Sequence, residues 1–300
     1  MPAPKAILDL KSLSREQIQI LFSRAQALHQ NPEPRTFSGQ TAALLFFEAS
    51  TRTRFSFEAA CHRAGLGPLV LDGASGTSLE KGETLEDTVF NVAAMNPSVM
   101  IIRSGGDFQL AQIASQLSTP IINAGWGSHG HPTQALLDAL TLRQEFSEIE
   151  RVKVLFVGDI KHSRVVASHF ELLEKLGAEI GLSGPEEFLV DRPGTNLFRR
   201  LEDGLEWCDA VMALRVQFER HEGKASISKE DYRLQYGLSR QKITHHLRHK
   251  GVIMHPGPIN YGIEMDQDVL SDSRNRILHQ VSNGVVLREA LIRSLLEGRL

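Results

Sequence analysis

Ser50-Thr51-Arg52-Thr53-Arg54 joins an apolar run, Thr41 to Phe47, to Phe55-Ser56-Phe57-Glu58-Ala59-Ala60-Cys61-His62-Arg63-Ala64, which Gly65 closes. The run reads as a buried strand and the second segment as a helix, so the pentapeptide is a strand-to-helix turn. It carries three hydroxyls and two guanidiniums. A helix start presents unpaired N–H groups and the positive end of the macrodipole, and so attracts anions. Hydroxyls and an arginine fork suit a phosphate. The plainer reading is an ordinary cap at Ser50 or Thr51 with solvated arginines. The pentapeptide alone does not choose between the two.

The pattern around the turn repeats. Ser14-Arg15-Glu16-Gln17 is a capping box ahead of Ile18, Leu21, Phe22, Ala25 and Leu28 at helical spacing. After the turn, Pro68 to Leu71 reads as strand, Ala74 to Gly82 as a surface loop, and Thr84 to Met95 as helix. Val99 to Ile102 is a strand ending at Arg103, and Phe108 to Leu117 is helical. Pro120 to Ile122 is strand, Ala124 to Gly130 a glycine-rich loop, and His131-Pro132 opens a helix with proline at its favoured first position.

The second half restarts with a strand at Val152 to Val157, a turn over Gly158 to Arg164, and a helix from about Val165 to Gly177. Strands follow at Ala178 to Leu182, Asp209 to Leu214 and Gly251 to Met254. Leu197 to Leu205 reads as helix, Phe218 to Ser239 as polar with one helix, and Gly284 to Leu296 as a closing amphipathic helix. Alternating strands and helices predict an α/β fold with mostly parallel sheets flanked by helices. The break near Phe146 to Arg151 predicts two such domains.

Composition bounds the function. The chain has 300 residues, 41% hydrophobic and 23% charged, enough for two cores. Its formal net charge of −3 gives no basic field for nucleic acid. Cys61 and Cys208 form no disulfide framework and read as buried free thiols. No apolar run reaches membrane-spanning length, and Met1 to Lys5 lacks the core of a secretion signal, so a cytoplasmic location is expected.

In open parallel sheets, ligands sit beyond the carboxyl ends of the strands. Ser50 to Arg54, Arg103, His131, Arg164, Arg215 and His255 to Pro258 all fall there, so one site in a cleft between domains is expected. Arg103 either faces solvent or meets an anion, and placement favours the anion. His131 and Gln134 share a helix face. His131 suits donation to a carbonyl or acid–base work, or else caps a loop. Lys81 reads locally as a solvated surface lysine. Arg164 and Arg215 suggest a second anionic partner such as a dicarboxylate. No zinc spacing appears, and His245, His246 and His249 read as a solvated basic face. The single glycine of Gly158 to Ser163 is a poor dinucleotide fingerprint. A nucleophile elbow of the Gly-x-Ser-x-Gly kind is absent.

Taken together, these motifs resemble the transcarbamoylase family over nearly the whole chain, on the side that uses aspartate. The resemblance is carried by Phe47 to Arg54, Ser78 to Thr84, Asn123 to Gln134, Gly158 to Arg164, Met212 to Gln217 and His255 to Pro258, in the family's order. It implies a first domain, 1–133 plus 285–300, for carbamoyl phosphate. A second, 134–284, would bind L-aspartate, and the final helix would return to the first. Ser50, Thr51, Arg52 and Thr53 would hold the phosphate. Thr53, Arg103 and His131 would contact the carbamoyl oxygen as catalytic groups. Gln134 and the backbone of Pro256, Gly257 and Pro258 would hold the amide. Arg164, Arg215 and Gln217 would hold aspartate. Ser78 and Lys81 would reach in from the neighbouring subunit of a homotrimer with shared active sites. No cofactor or metal is implied, and regulatory chains or a dihydroorotase partner stay open. Trp126 departs from the family, which usually carries an aspartate there. Ornithine-specific members have a cysteine at the late proline loop and a Ser-Met-Gly element. Here His255-Pro256-Gly257-Pro258 and Arg215-Val216-Gln217 stand instead, and an arginine would repel ornithine's cation. A noncatalytic carbamoyl-phosphate-binding subunit is the alternative of another class, set against the filled catalytic positions.

Overall fold

The computed structural model describes residues 6–216, 218 and 227–300. Contacts divide the chain into two units, 1–140 with 281–300, and 141–280. The first unit contains β1 (Ala6–Ile7), α1 (Arg15–Gln30), β2 (Thr41–Phe46), α2 (Thr51–Ala64), β3 (Gly67–Asp72) and α3 (Leu85–Ala93). It continues with β4 (Val99–Ser104), α4 (Leu110–Gln116), β5 (Ile121–Trp126) and the start of α5 (Pro132–Phe146). The second contains β6 (Lys153–Val157), α6 (Arg164–Leu176), β7 (Glu179–Ser183), β8 (Thr195–Phe198), α7 (Leu201–Trp207) and β9 (Ala210–Ala213). It ends with α8 (Lys229–Tyr236), α9 (Arg240–His246), β10 (Val252–Met254) and the first residues of α10 (Ile277–Leu296), whose remainder belongs to the first unit.

Each unit is a five-stranded, wholly parallel sheet, ordered β1-β5-β4-β2-β3 and β10-β9-β6-β7-β8. The central strands are continuous apolar runs because both faces are covered. Ala43, Leu45, Met100, Ile102 and Ile121 meet Val89 of α3 and Ile113 of α4. Leu155, Val157, Val211 and Ile253 meet Leu201 and Leu205 of α7 and Ile243 of α9. Each of these Val, Leu, Ile and Met side chains contributes about 1.5–3 kcal/mol before chain entropy is counted.

Both sheets reverse winding direction. From β2 the chain steps outward to β3, then returns through α3 to β4 on the other side of β2. From β6 it steps out to β7 and β8, then returns to β9 beside β6. The carboxyl ends of β2 and β4, and of β6 and β9, therefore flank the two crevices where such sheets bind ligands.

The capping box at Ser14 forms as expected, with Ser14 Oγ accepting from Gln17 N–H and Gln17 Oε1 accepting from Ser14 N–H. Three expectations need correction. Residues 195–198 are an edge strand, and the helix expected from Leu197 starts at Leu201. The expected loop from Ala124 begins as strand, because β5 runs on to Trp126. The last helix starts at Ile277, where Asn275 Oδ1 accepts the Ile277 N–H (2.9 Å). In its first turn Leu278 and His279 are exposed while the buried residue is the polar Gln280, so no apolar period marks it.

Candidate active site

At the end of β2, Ser50 is the N-cap of α2, extended at φ −163° and ψ 91°. Its side chain makes no capping bond, and the first turn of α2 holds no acidic residue. The positive helix end is thus not neutralised from within its own turn. Thr53 is buried, while Thr51 and Arg52 are exposed. Arg54 is different from its neighbour. It forms ion pairs with Asp72 and with Glu58 (3.2 Å), and its guanidinium lies 4.8 Å from the Phe55 ring centroid. Two carboxylates neutralise it, so Arg54 is engaged within the chain and does not offer its fork to an anion.

Arg103 lies within β4 opposite Phe46 of β2, and its carbonyl oxygen accepts the Phe47 N–H (2.9 Å). The β4–β5 register shifts here, with Ile102 facing Asn123 but Ser104 facing Trp126. The extra residue is a bulge, a device common beside active sites. Arg103 Nη1 donates across it to the Ala124 carbonyl oxygen (3.2 Å). Gly125 has φ 125°, and a Cβ there would stand 2.6 Å from Arg103 Nη1. Asn123 pins the bulge from below, donating to Leu8 O (2.7 Å) and accepting from Gly125 N–H (2.7 Å).

Trp126 has a definite role. Its Nε1 donates to Phe108 O (2.8 Å), its ring stacks on His129 at 4.2 Å, and its N–H donates to Gly130 O (3.0 Å). The indole thus holds both the loop before His131 and the segment after β4. His131 is buried at the head of α5, where its carbonyl oxygen accepts from Gln134 N–H and Ala135 N–H. Gln134 Nε2 donates to both oxygens of buried Asp138 (3.0 and 3.2 Å). The turn, Arg103 and the loop leading to His131 therefore occupy the ends of three adjacent strands. Ser78 and Lys81 lie in a short 3-10 helix after the edge strand β3. Both are exposed, and Lys81 has no ion pair among the described residues.

In the second unit, Arg164 is the first residue of α6, after the N-cap Ser163. Arg215 follows β9 by two residues, so both arginines sit at the crevice of that sheet, each half-buried. Gln217 lies outside the described residues. In the loop after β10, His255 N–H donates to Gln280 Oε1 (3.0 Å), and Gly257 N–H donates to His255 Nδ1 (2.7 Å). That fixes the tautomer, with the proton on Nε2, 3.5 Å from Glu264 Oε1. The same Glu264 oxygen accepts the Asn260 N–H (2.5 Å). The Gly257–Pro258 peptide is cis.

Among the described residues, no cluster of three or more His, Cys, Asp or Glu could hold a metal ion. His246 is not simply solvated, since its Nδ1 contacts Glu206 Oε1 at 2.7 Å. Cys61 and Cys208 are free and buried, and burial pushes the Cys61 thiol up to about 12, so it is no nucleophile at neutral pH. Sequence reasoning missed Asp138, Glu264 and Arg288. The signal for Arg288 was a charge inside the apolar stripe that includes Leu291 and Leu295.

Residues 5–144 match the family described as aspartate/ornithine carbamoyltransferase, carbamoyl-P binding domain, and residues 150–295 match its Asp/Orn binding domain. The aspartate carbamoyltransferase catalytic subunit of Enterococcus faecalis is 41% identical, over 98% of this chain and 96% of that one. The catalytic subunit of M. jannaschii aspartate transcarbamoylase superposes with a TM-score of 0.87 at 29% identity, over 98% of each chain. The Trypanosoma cruzi aspartate transcarbamoylase in complex with carbamoyl phosphate gives 0.88 at 26%, over 96% and 95%. With both halves matched and a relative of this identity along its length, the chain belongs to the aspartate/ornithine carbamoyltransferase family.

Proposed function

We infer that the chain is an aspartate carbamoyltransferase. It transfers the carbamoyl group of carbamoyl phosphate to the amine of L-aspartate, giving N-carbamoyl-L-aspartate and phosphate, an early step of de novo pyrimidine synthesis. The reading is carried by the arginines at the two crevices. Arg52 and Arg103 at the first suit a phosphate-bearing donor, and Arg164 and Arg215 at the second suit two carboxylates.

The amine attacks the carbamoyl carbon, a C–N bond forms, and negative charge builds on the carbamoyl oxygen. Thr53, Arg103 and His131 act as its oxyanion hole. As the bond between the carbamoyl carbon and the bridging phosphate oxygen breaks, the amine nitrogen gives up a proton to the departing phosphate, an anion already held by Ser50, Thr51, Arg52 and Thr53. Gln134, with the backbone at Gly257 and Pro258, orients the amide, and Gln217 joins the arginines on aspartate. The arginines offset the repulsion of two anions and supply proximity. No step calls for a cofactor.

The working form is a homotrimer in the cytoplasm, with Ser78 and Lys81 serving a neighbour's site. Exposed Leu69 and Val70 on the edge strand β3 support such an assembly.

The test assays aspartate and ornithine with carbamoyl phosphate on one preparation. Carbamoyl aspartate should form, and a preference for ornithine would overturn the acceptor assignment. Arg52→Ala should weaken transition-state binding by about 1.5–3 kcal/mol, or roughly 10- to 150-fold in kcat/KM. Wild-type turnover in that variant would remove the turn from the site.

A further inference from the structure

Helix α10 carries Gly284 and Arg288 one turn apart. The Arg288 guanidinium is enclosed where α2, α5 and α10 meet. Nη1 donates to Ser56 Oγ of α2 (2.7 Å) and Nη2 to Thr133 Oγ1 of α5 (3.4 Å). The guanidinium carbon lies 4.9 Å from the Phe57 ring centroid. Among the described residues, no carboxylate forms an ion pair with it, and its Nε has no hydrogen-bond partner. Burial pushes the group down to about 9, an effect that Asp138 opposes and Arg103 reinforces.

Stability alone does not explain this arrangement. Replacing a buried charge by an apolar side chain of similar size is often neutral or stabilising. The helix also makes room for the charge. A Cβ on Gly284 would stand 2.8 Å from Arg288 Nη1 and 3.2 Å from Leu137 Cδ2, and glycine weakens a helix interior relative to alanine. Local rules broken twice at one place point to function.

The contacts say which function. Ser56 lies three residues after Thr53, on the same face of α2. Thr133 stands between His131 and Gln134, and Gln134 is held by Asp138. We propose that Arg288 is a positioning residue for the carbamoyl-phosphate site. Its fork holds the first turns of α2 and α5 at a set spacing, so that Thr53, His131 and Gln134 address one ligand. Its charge adds to that of Arg103 in drawing a phosphate-bearing anion. The proposal rests on the carbamoyl-phosphate reading given above.

The experiment compares wild type with Arg288→Met, Arg288→Lys and Gly284→Ala. It measures thermal unfolding, calorimetric binding of carbamoyl phosphate alone, and steady-state kinetics. Arg288→Met should melt at or above the wild-type temperature yet bind carbamoyl phosphate at least about tenfold more weakly. The KM for aspartate should change less, and Arg288→Lys should recover part of the loss. Gly284→Ala, which crowds the guanidinium, should shift binding in the same direction. Wild-type binding and kcat in folded Arg288→Met overturn the proposal. If that variant does not fold, wild-type binding by folded Gly284→Ala overturns it instead. Failure of every variant to fold assigns Arg288 to stability and overturns it too. Absence of carbamoyl-phosphate binding by the wild type defeats the functional reading itself, and this proposal with it.

Discussion

Arg54, in the first turn of α2, is neutralised by Asp72 and Glu58. The pairing decides that this guanidinium does not serve a ligand. Gly125 matters as much for Arg103. Its φ of 125° is strained for any L side chain, and a methyl group would intrude on the guanidinium at 2.6 Å. Gly125→Ala should therefore fold with a modest stability loss while kcat falls by about 100-fold or more, as for a displaced oxyanion donor. Steady-state kinetics beside a thermal melt would check this, and wild-type kcat in the folded variant would contradict it. Residue types and positions of the turn, Arg103 and His131 were legible in the sequence because they punctuate apolar strands. The pairing of Arg54 was not, because Asp72 approaches only through the β2–β3 ladder, 18 residues on. Arg288 was hidden for a similar reason, since Ser56 lies 232 positions away.

Elements were legible wherever burial was complete. β2, β4 and β6 each contain an unbroken apolar run, Ala42 to Phe46, Val99 to Ile102 and Val154 to Val157, and Gly65 and Gly177 mark the ends of α2 and α6. β8 was misread because it lies at a sheet edge with Leu197 exposed, so no alternation marks it. The two-residue β1 is too short to carry a period. The late part of α10 is fastened to the first unit by ions as well as by apolar packing. Arg24 of α1 holds both oxygens of Glu297, just past α10 (2.7 and 2.8 Å), and also reaches Glu33 (2.9 Å). The hydrogen bond from Arg24 holds the Glu297 carboxyl below its usual range. A carboxylate with a depressed folded pKa contributes stability above its unfolded value, and the contribution is lost as pH falls through the folded one. Arg24→Gln should thus lower stability by roughly 1–2 kcal/mol at pH 7, the pair being partly solvated. The gap from wild type should close below about pH 4. Melts across that range would show it, and a gap independent of pH would refute the linkage.

At the scale of the molecule, two domains of mostly parallel sheet were legible from alternation alone, because covered parallel strands must be apolar throughout. Strand order and the reversed winding were not, since nothing local states which neighbour a strand will take. The proposed trimer can be tested without a structure of it. Lys81→Ala and His131→Ala should each be nearly inactive alone. In a mixed ring, an intact His131 meets an intact Lys81 at one boundary, so random reassembly should restore about a quarter of wild-type activity. Folded mixed trimers as inactive as their parents would place Lys81 in its own chain's chemistry or in none. The split first unit has another consequence, for synthesis. Residues 141–280 are contiguous, but the unit before them is completed only by 281–300. Arg293, fully buried, donates to the carbonyl oxygens of Pro34 and Arg63 (both 3.1 Å), and Val286, Leu287 and Leu291 are buried with it. On the ribosome, the amino-terminal half emerges first and must wait for the last helix to be translated. The order of completion is thus inverted relative to the order of emergence. Throughout that interval the nascent chain carries an open apolar seat, the kind of surface that chaperones bind.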